Sequence, residues 1–260
     1  MKKKLLFLLF FFPAIFLFSS LKALPYYWVG GGGNWSELFH WATTSGGSVY
    51  YNIVPSANDD VIFDANSGFI PASKTVTINC NASCRNMDWT GALNSPVLTG
   101  SSPNTLNIYG SLTFIPAMSF TFSNVVTFAA TTPGNTITMA GQSFSYNTYF
   151  NGTGGWILQD AFTVSGGVIF LYHQQGSLNT NGKTLTTPLF SSTGSLTRAL
   201  TLGSSTVNVT FNNPIASPFS VWSISSTALT FDAGTSTINI TGSTVSGGAV
   251  VLNTSGGILA

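Results

Sequence analysis

The sequence predicts an all-β protein, a parallel β-helix-like solenoid that begins with a cap rich in Trp and Gly. Three observations lead to this fold class. β-Branched and aromatic residues alternate with small polar residues, as in residues 206–210 and 237–241. Gly residues and Asn-Gly steps punctuate these alternating runs. Similar runs recur about 30 residues apart, a period typical of stacked β architectures.

Residues 1–23 are predicted to be a secretory signal peptide. Three lysines follow the initiating Met, an apolar run covers residues 5–18, and the small residue Ala23 ends the segment. A membrane-spanning helix needs ~20 apolar residues, and this run is shorter. We therefore expect a secreted or cell-surface protein whose mature chain has no membrane span.

The chain is poor in charge. It has 8 Lys or Arg residues and 7 Asp or Glu residues, 6% of the total, against about 25% in soluble domains. Beyond the signal peptide the basic residues are widely scattered, at Lys74, Arg85, Lys183 and Arg198. They cannot form a patch that neutralises several phosphates, which excludes nucleic acid as a main partner.

Residues 24–70 form the predicted N-terminal cap. Trp28, Trp35 and Trp41 lie close together in the sequence, and the glycines at 30–33 separate the first two. These Trp side chains either cover the open end of the β stack or offer aromatic faces on which sugar rings stack. The glycine run is interpreted as a tight turn, because it lacks the Gly-Lys-Ser/Thr ending of a phosphate-binding loop.

An acidic cluster follows, formed by Asp59, Asp60 and Asp64. Carboxylates in a short loop are ligands that Ca²⁺ accepts, and strand alternation puts positions 60 and 64 on one face. The competing interpretation is that these side chains cap the turns around a strand at 61–63. Ca²⁺ is the one cofactor that the sequence suggests.

Cys80 and Cys84 are the only cysteines. In an oxidising compartment they form a local disulfide only if the chain turns between them, since an extended strand would hold their Cα atoms ~13 Å apart. Two separate buried thiols are the alternative.

Residues 71–260 are predicted to form irregular β-solenoid repeats. Residues 200–210 align with residues 229–241 at an offset that grows from 29 to 31, which predicts two residues inserted in the turn. An offset of 31 also relates Leu106 to Ile137. A β-sandwich is the alternative arrangement for short strands at this spacing.

We expect the repeats to continue beyond the last residue, because the alternating pattern is still present there. A last coil without a cap would leave its edge open, so we also expect self-association.

Several blocks carry a resemblance to a known class of protein. Residues 26–41 and 54–67 resemble the N-terminal region of large repeat-built surface proteins of gliding Gram-negative bacteria, which the type IX route exports. Similar Trp-x-Gly-Gly…Asn-Trp blocks open repeats in autotransporter-like adhesins. Residues 155–160, 178–182 and 198–206 look like later repeats of the same proteins. The resemblance implies a secreted β-helical passenger of adhesive use, with no catalytic residues to carry over.

We therefore expect a non-catalytic, exported, adhesive or stalk-like protein whose partner is an extracellular polysaccharide or another cell-surface ligand. The two histidines, His40 and His173, have no metal-ligand partners at suitable spacing. With two histidines and four basic residues in the mature chain, few side chains are available for acid–base catalysis. Two alternatives remain. One is a polysaccharide-cleaving β-helix enzyme, and the other is a carbohydrate-binding module built on the Trp cluster.

Overall fold

The protein is an all-β solenoid, as the sequence predicts. The computed structural model describes residues 23–211, 218–241 and 249–255. Within these ranges the regular elements are β-strands and one short 3₁₀ helix, Leu38–His40. The predicted signal peptide lies outside the described residues, except for Ala23, as does the sequence after Ser255.

The strands pair into three parallel stacks, because the chain visits the same three faces in turn as it winds. Stack 1 contains β6 (Ala82–Cys84), β9 (Leu106–Ile108), β12 (Val126–Phe128), the first halves of β14 (Thr148–Leu158) and β16 (Phe170–Asn179), β18 (Leu189–Ser192), β21 (Pro218–Ser225) and β24 (Ala249–Ser255). Stack 2 contains β3 (Trp41–Ala42), β1 (Pro25–Trp28), β4 (Asp60–Ile62), β7 (Met87–Asp88), β10 (Leu112–Thr113), β13 (Asn135–Thr138), the second halves of β14 and β16, β19 (Arg198–Thr201) and β22 (Leu229–Asp232). Stack 3 consists of two separate four-stranded sheets. The first contains β2 (Gly33–Asn34), β5 (Thr75–Ile78), β8 (Val97–Gly100) and β11 (Ser119–Phe120), and the second contains β15 (Phe162–Thr163), β17 (Leu185–Thr187), β20 (Thr206–Val209) and β23 (Thr237–Ile240).

The predicted alternation is confirmed by burial. In β20, Val207 and Val209 are fully buried while Thr206 and Asn208 face outward. In β9, Leu106 and Ile108 are buried and Asn107 faces outward. Side chains of a strand alternate between its two faces, so one face of every stack lines the interior and the other meets solvent.

The repeat registers correct two sequence expectations. Leu200 pairs with Phe231, 31 positions later, and Asn208 pairs with Asn239 at the same offset, so the predicted two-residue insertion is wrong. The offset of 31 between Leu106 and Ile137 is not a coil either, since Leu106 pairs with Val126, 20 positions later. Coil length varies because loops at the corners differ in length.

The N-terminal cap shares the sheets and the core of the solenoid. Strand β1 pairs in parallel with β4 on one side and antiparallel with β3 on the other, so β3 lies at the end of stack 2. Strand β2 pairs with β5 and thereby joins the cap to stack 3. One hydrophobic core runs from Tyr26 to Ile224.

A substitution at Leu200 tests the packing of this core. The Leu200 side chain is fully buried between Leu178 and Phe231 of the neighbouring coils. We expect Leu200→Ala to lower the free energy of unfolding by about 2–5 kcal/mol through lost contacts and the cavity left behind. The neighbour Thr201 faces outward, so Thr201→Ala should change it by less than about 0.5 kcal/mol. Denaturant unfolding measures both, and equal losses would contradict the assignment of faces.

Candidate functional site

The three Trp residues of the cap are core residues. Trp28, Trp35 and Trp41 are each 0% exposed. The Trp41 ring meets the other two edge-on, with ring centroids 4.8 Å apart in both pairs. A sugar ring stacks only on an exposed aromatic face, so these residues are unsuited to the sugar-binding role, and the structure has them covering the end of the stack.

The glycine run is a tight turn closed by His40. The indole Nε1 of Trp28 donates to the carbonyl of Gly31 at 2.6 Å. The His40 ring stacks on Trp28 with centroids 4.4 Å apart, and its Nδ1 donates to the carbonyl of Val29 at 2.5 Å. A Cβ at Gly33 would lie 2.0 Å from His40 Nε2, so only glycine fits there. This arrangement orders the entry into stack 3.

The packing at this turn predicts that substituting two glycines, Gly33 and Gly167, has different effects on stability. We expect Gly33→Ala to lower the free energy of unfolding by about 1–3 kcal/mol, because the pinned His40 ring cannot move away from the new methyl group. Gly167 has nothing within 4 Å of its Cβ position, so Gly167→Ala should not destabilise the protein. Thermal unfolding compares the two variants, and similar losses would contradict the packing described.

The three acidic residues are engaged in different contacts. Asp59 Oδ2 accepts from the Ser56 N–H at 2.9 Å and from the Ser56 hydroxyl at 2.6 Å, and Asp64 Oδ1 accepts from the Asn66 N–H at 2.9 Å. These two carboxylates cap turns. Asp60 instead forms a two-point ion pair with Arg85, whose Nε and Nη2 donate at 2.8 and 2.5 Å.

The turn-capping interpretation of Asp59 and Asp64 therefore agrees with the hydrogen bonds, whereas Asp60 is a strand residue with a cationic partner. Within the described part of the chain, no group of three or more His, Cys, Asp or Glu side chains is placed to hold a metal ion. The geometry of Asp59, Asp60 and Asp64 thus lends the calcium prediction no support.

The two cysteines are free thiols in the structure. Cys84 is fully buried at the end of β6, whereas Cys80 lies half-buried before that strand. Burial raises the pKa of both thiols, so both stay protonated and poorly nucleophilic at neutral pH. Of the two arrangements left open by the sequence, the structure has two separate thiols, with Cys84 turned inward to the core in β6.

A buried His and a buried Arg lie inside the corner between stacks 1 and 2. His173 is 0% exposed; its Nε2 donates to the Gly176 carbonyl at 3.0 Å, and its Nδ1 accepts from the Ser192 hydroxyl at 3.1 Å. Arg198 is 1% exposed, and its Nη2 donates to the carbonyls of Ser225 and Thr227. Burial, and secondarily the positive charge of Arg198, lower the pKa of His173 to about 4.

The lowered pKa of His173 predicts that the protein loses stability in mild acid. Its folded pKa of about 4 lies below the ordinary value of 6.5, so the unfolded chain binds the proton more readily. Keeping His173 neutral therefore contributes about 3 kcal/mol to the free energy of unfolding. This contribution is complete above pH 6.5 and is lost as the pH falls to about 4. In His173→Gln we expect this pH dependence to vanish between pH 6.5 and 4.5. An unchanged slope in denaturant unfolding would mean that His173 does not titrate as described.

The outward faces carry uncharged hydrogen-bonding groups in register. We call the central outward line of stack 3 the stack-3 row. Pairing places Thr77 beside Thr99 in one sheet of this stack. In the second sheet it places Thr163, Thr186, Asn208 and Asn239 one coil above another. The Asn239 amide donates to the Asn208 side-chain oxygen at 3.1 Å. Coils stack ~4.8 Å apart, so within each of the two sheets the row is a regular ladder of hydroxyl and amide groups.

A groove of about 410 Å³ lies on the outside of the corner between stacks 1 and 2, and we call it the corner groove. It forms where β14 and β16 bend from one stack to the next, with register shifts after Phe150 and Asn151. Its lining residues come from successive coils and include Thr153, Gln175, Ser177, Thr197, Ala199 and Thr230. Sequence reasoning missed this groove, although the glycines at 152, 154 and 155 signal a close approach between coils.

No described helix is long and apolar enough to span a membrane. Comparison with protein-family models, with curated proteins and with solved structures found no match to this chain. The architecture itself defines the class: a parallel β-solenoid with three strand stacks and a Trp-filled N-terminal end.

Proposed function

We propose that this chain is a non-catalytic, exported surface protein, an adhesive or stalk-like solenoid. The stack-3 row carries the proposal. It presents the same kind of weak hydrogen-bonding group on neighbouring coils of both sheets of stack 3, which suits contact with an extended, repetitive partner. Many weak contacts on one rigid body add up to a strong attachment without any single tight site.

The state of the titratable side chains supports a non-catalytic role. His173 is buried and neutral, and Asp59 and Asp64 are occupied with turn capping. The carboxylate of Asp60 is paired with Arg85. General acid–base chemistry needs such groups within reach of a substrate, and these are engaged with the protein itself.

The sequence features of residues 1–23 support export. The resemblance to repeat-built surface proteins of gliding bacteria supports the adhesive use. The burial of Trp28, Trp35 and Trp41 weighs against the rival carbohydrate-binding module built on that cluster.

Multivalent contact predicts a graded response along the stack-3 row. Beads coated with the chain should adhere to polysaccharide-coated surfaces or to cells. Thr186→Ala alone should change the detachment force less than about twofold, while the triple variant Thr163→Ala, Thr186→Ala, Asn208→Ala should lower it about tenfold. All three side chains face outward, so thermal unfolding should be nearly unchanged. Full adhesion of the folded triple variant would contradict a role of this row.

The enzyme alternative is tested on the same polysaccharides. We expect no release of reducing sugar and no unsaturated uronate product. Product release that Asp59→Asn, Asp60→Asn or Asp64→Asn abolishes would overturn the non-catalytic proposal.

A further inference from the structure

We propose that the corner groove is a carboxylate-binding site, in which Arg198, beneath the groove wall, donates hydrogen bonds to the carboxylate of a uronate sugar. The proposal rests on the proposed surface function and adds the class of ligand to it. Arg198 is one of the residues around the groove, together with its chain neighbours Thr197 and Ala199. The groove volume of about 410 Å³ falls within the range of small-molecule sites.

The guanidinium of Arg198 has donors without a partner. Its Nη2 donates to the carbonyls of Ser225 and Thr227, at 3.3 and 2.6 Å. Its Nε and Nη1 are buried and have no hydrogen-bond partner within the described residues. Buried donors are nearly always paired, because an unpaired donor loses its bonds to water and gains nothing in return. Two unpaired nitrogens on one buried side chain therefore point to a partner from outside the chain.

The positive charge of Arg198 also has no counterion among the described residues. The ion pairs there join Glu37 to His40 and Asp60 to Arg85. Arg198 is 1% exposed, and burial lowers the pKa of its guanidinium from the ordinary value. A buried cation without a partner is costly, so an anion bound beside Arg198 would stabilise the charge.

An exposed loop between β18 and β19 covers the guanidinium. All residues of this loop, 193–197, are exposed, and the Cβ position of Gly194 lies 3.9 Å from Arg198 Nη1. Thr197, the last residue of the loop, lines the groove. Exposed loop residues contribute little to the core, so a small shift of this loop costs little. Such a shift would let a carboxylate pass from the groove to the guanidinium.

The rest of the lining suits the hydroxyl groups of a sugar. Four lining residues carry hydroxyl or amide groups, namely Thr153, Gln175, Ser177 and Thr230. These groups both donate and accept hydrogen bonds, as a sugar hydroxyl does. A uronate carries one carboxylate and several hydroxyls on one ring, so it matches a single cation surrounded by uncharged polar groups.

The overall charge of the protein does not favour an acidic ligand. Residues 24–260 contain four Lys or Arg and seven Asp or Glu, a formal charge of −3. The protein as a whole therefore repels an acidic polymer. Binding of such a polymer needs a local cationic site, so the effect of one substitution at Arg198 is decisive.

Affinity electrophoresis tests the proposal, with polygalacturonate as the acidic probe and galactomannan as the neutral one. We expect polygalacturonate to retard the protein more than galactomannan does. Arg198→Met should weaken this retardation about tenfold or more, because hydrogen bonds to a charged group are lost. Lys183→Met is the matched control, because it removes the same charge from a turn outside the groove lining. It should change the retardation by less than about twofold.

A second pair of variants tests the groove and leaves its charge unchanged. Ala199→Trp places a large ring in the groove and should also weaken the retardation about tenfold. Thr113 faces outward on the same stack and is not a lining residue, so Thr113→Trp should leave the retardation unchanged. Thermal unfolding shows whether each variant is folded. We expect Arg198→Met to fold, because it removes an unpaired buried charge.

Small carboxylates identify the source of the group. Retardation by polygalacturonate assigns the site to a uronate within a chain. Protection against thermal unfolding by galacturonate or acetate, without retardation by polygalacturonate, assigns it to a free small carboxylate. Sodium chloride at equal ionic strength is the control for salt, and Arg198→Met should abolish either effect.

Three results would overturn the proposal: no effect of any carboxylate probe, equal retardation by galactomannan, or full retardation of folded Arg198→Met. If Arg198→Met fails to fold, Ala199→Trp and Gln175→Ala decide, and full retardation of both overturns the site. The two proposals fail separately. Bead adhesion without carboxylate binding rejects the site and keeps the surface function, whereas Arg198-dependent binding without adhesion keeps the site and rejects that function.

Discussion

The structure depends on parallel pairing between successive coils. Each coil satisfies its main-chain hydrogen bonds with the coil before and the coil after, at a spacing of ~4.8 Å. This spacing governs the interior, where equivalent side chains stack on one another: Phe128 on Phe150 at 4.9 Å and Phe190 on Trp222 at 4.3 Å. It also governs the corners, where a β-carbon at Gly152 would lie 2.3 Å from the Ala130 carbonyl oxygen.

A stack of this kind has an end that must be covered, and the cap covers it with aromatic bulk. Strand β3 runs antiparallel to β1, so the chain folds back at the edge. Trp28, Trp35 and Trp41 fill the space behind this edge, and His40 seals the glycine turn between them. The Trp-rich block is therefore a consequence of the solenoid architecture, because an exposed edge with a hydrophobic interior behind it would pair with other chains.

The same architecture separates stability from recognition. Inward positions hold the core and even bury two polar side chains, His173 and Arg198, inside one corner. Outward positions contribute little to the core, so they are free to vary and to carry a binding surface. The stack-3 row and the corner groove are both built from outward positions, in different ways. The row repeats similar hydrogen-bonding groups on neighbouring coils, and the groove gathers several different polar groups where two strands bend.

Much of the fold follows from local pattern, since alternation and glycine-marked turns act over a few residues. Val207 and Val209 are inward and Asn208 is outward because a strand leaves no other choice once its apolar face is buried. The offset of 31 between Asn208 and Asn239 was also readable, because both turn and strand are repeated.

Other features needed the tertiary structure. Only the register showed that Leu106 pairs with Val126, because coil length depends on corner loops that carry no repeat pattern. Burial distinguished between the two uses of the Trp cluster, end cap and sugar platform, that the sequence had left open. Arg85 forms an ion pair with Asp60, 25 positions away in the sequence, and spacing along the chain does not reveal this contact. The sequence by itself determined which apolar strand residues face inward, because period and polarity are local properties. The tertiary structure alone decided which outward residues meet, because neighbours across coils depend on the length of every loop between them.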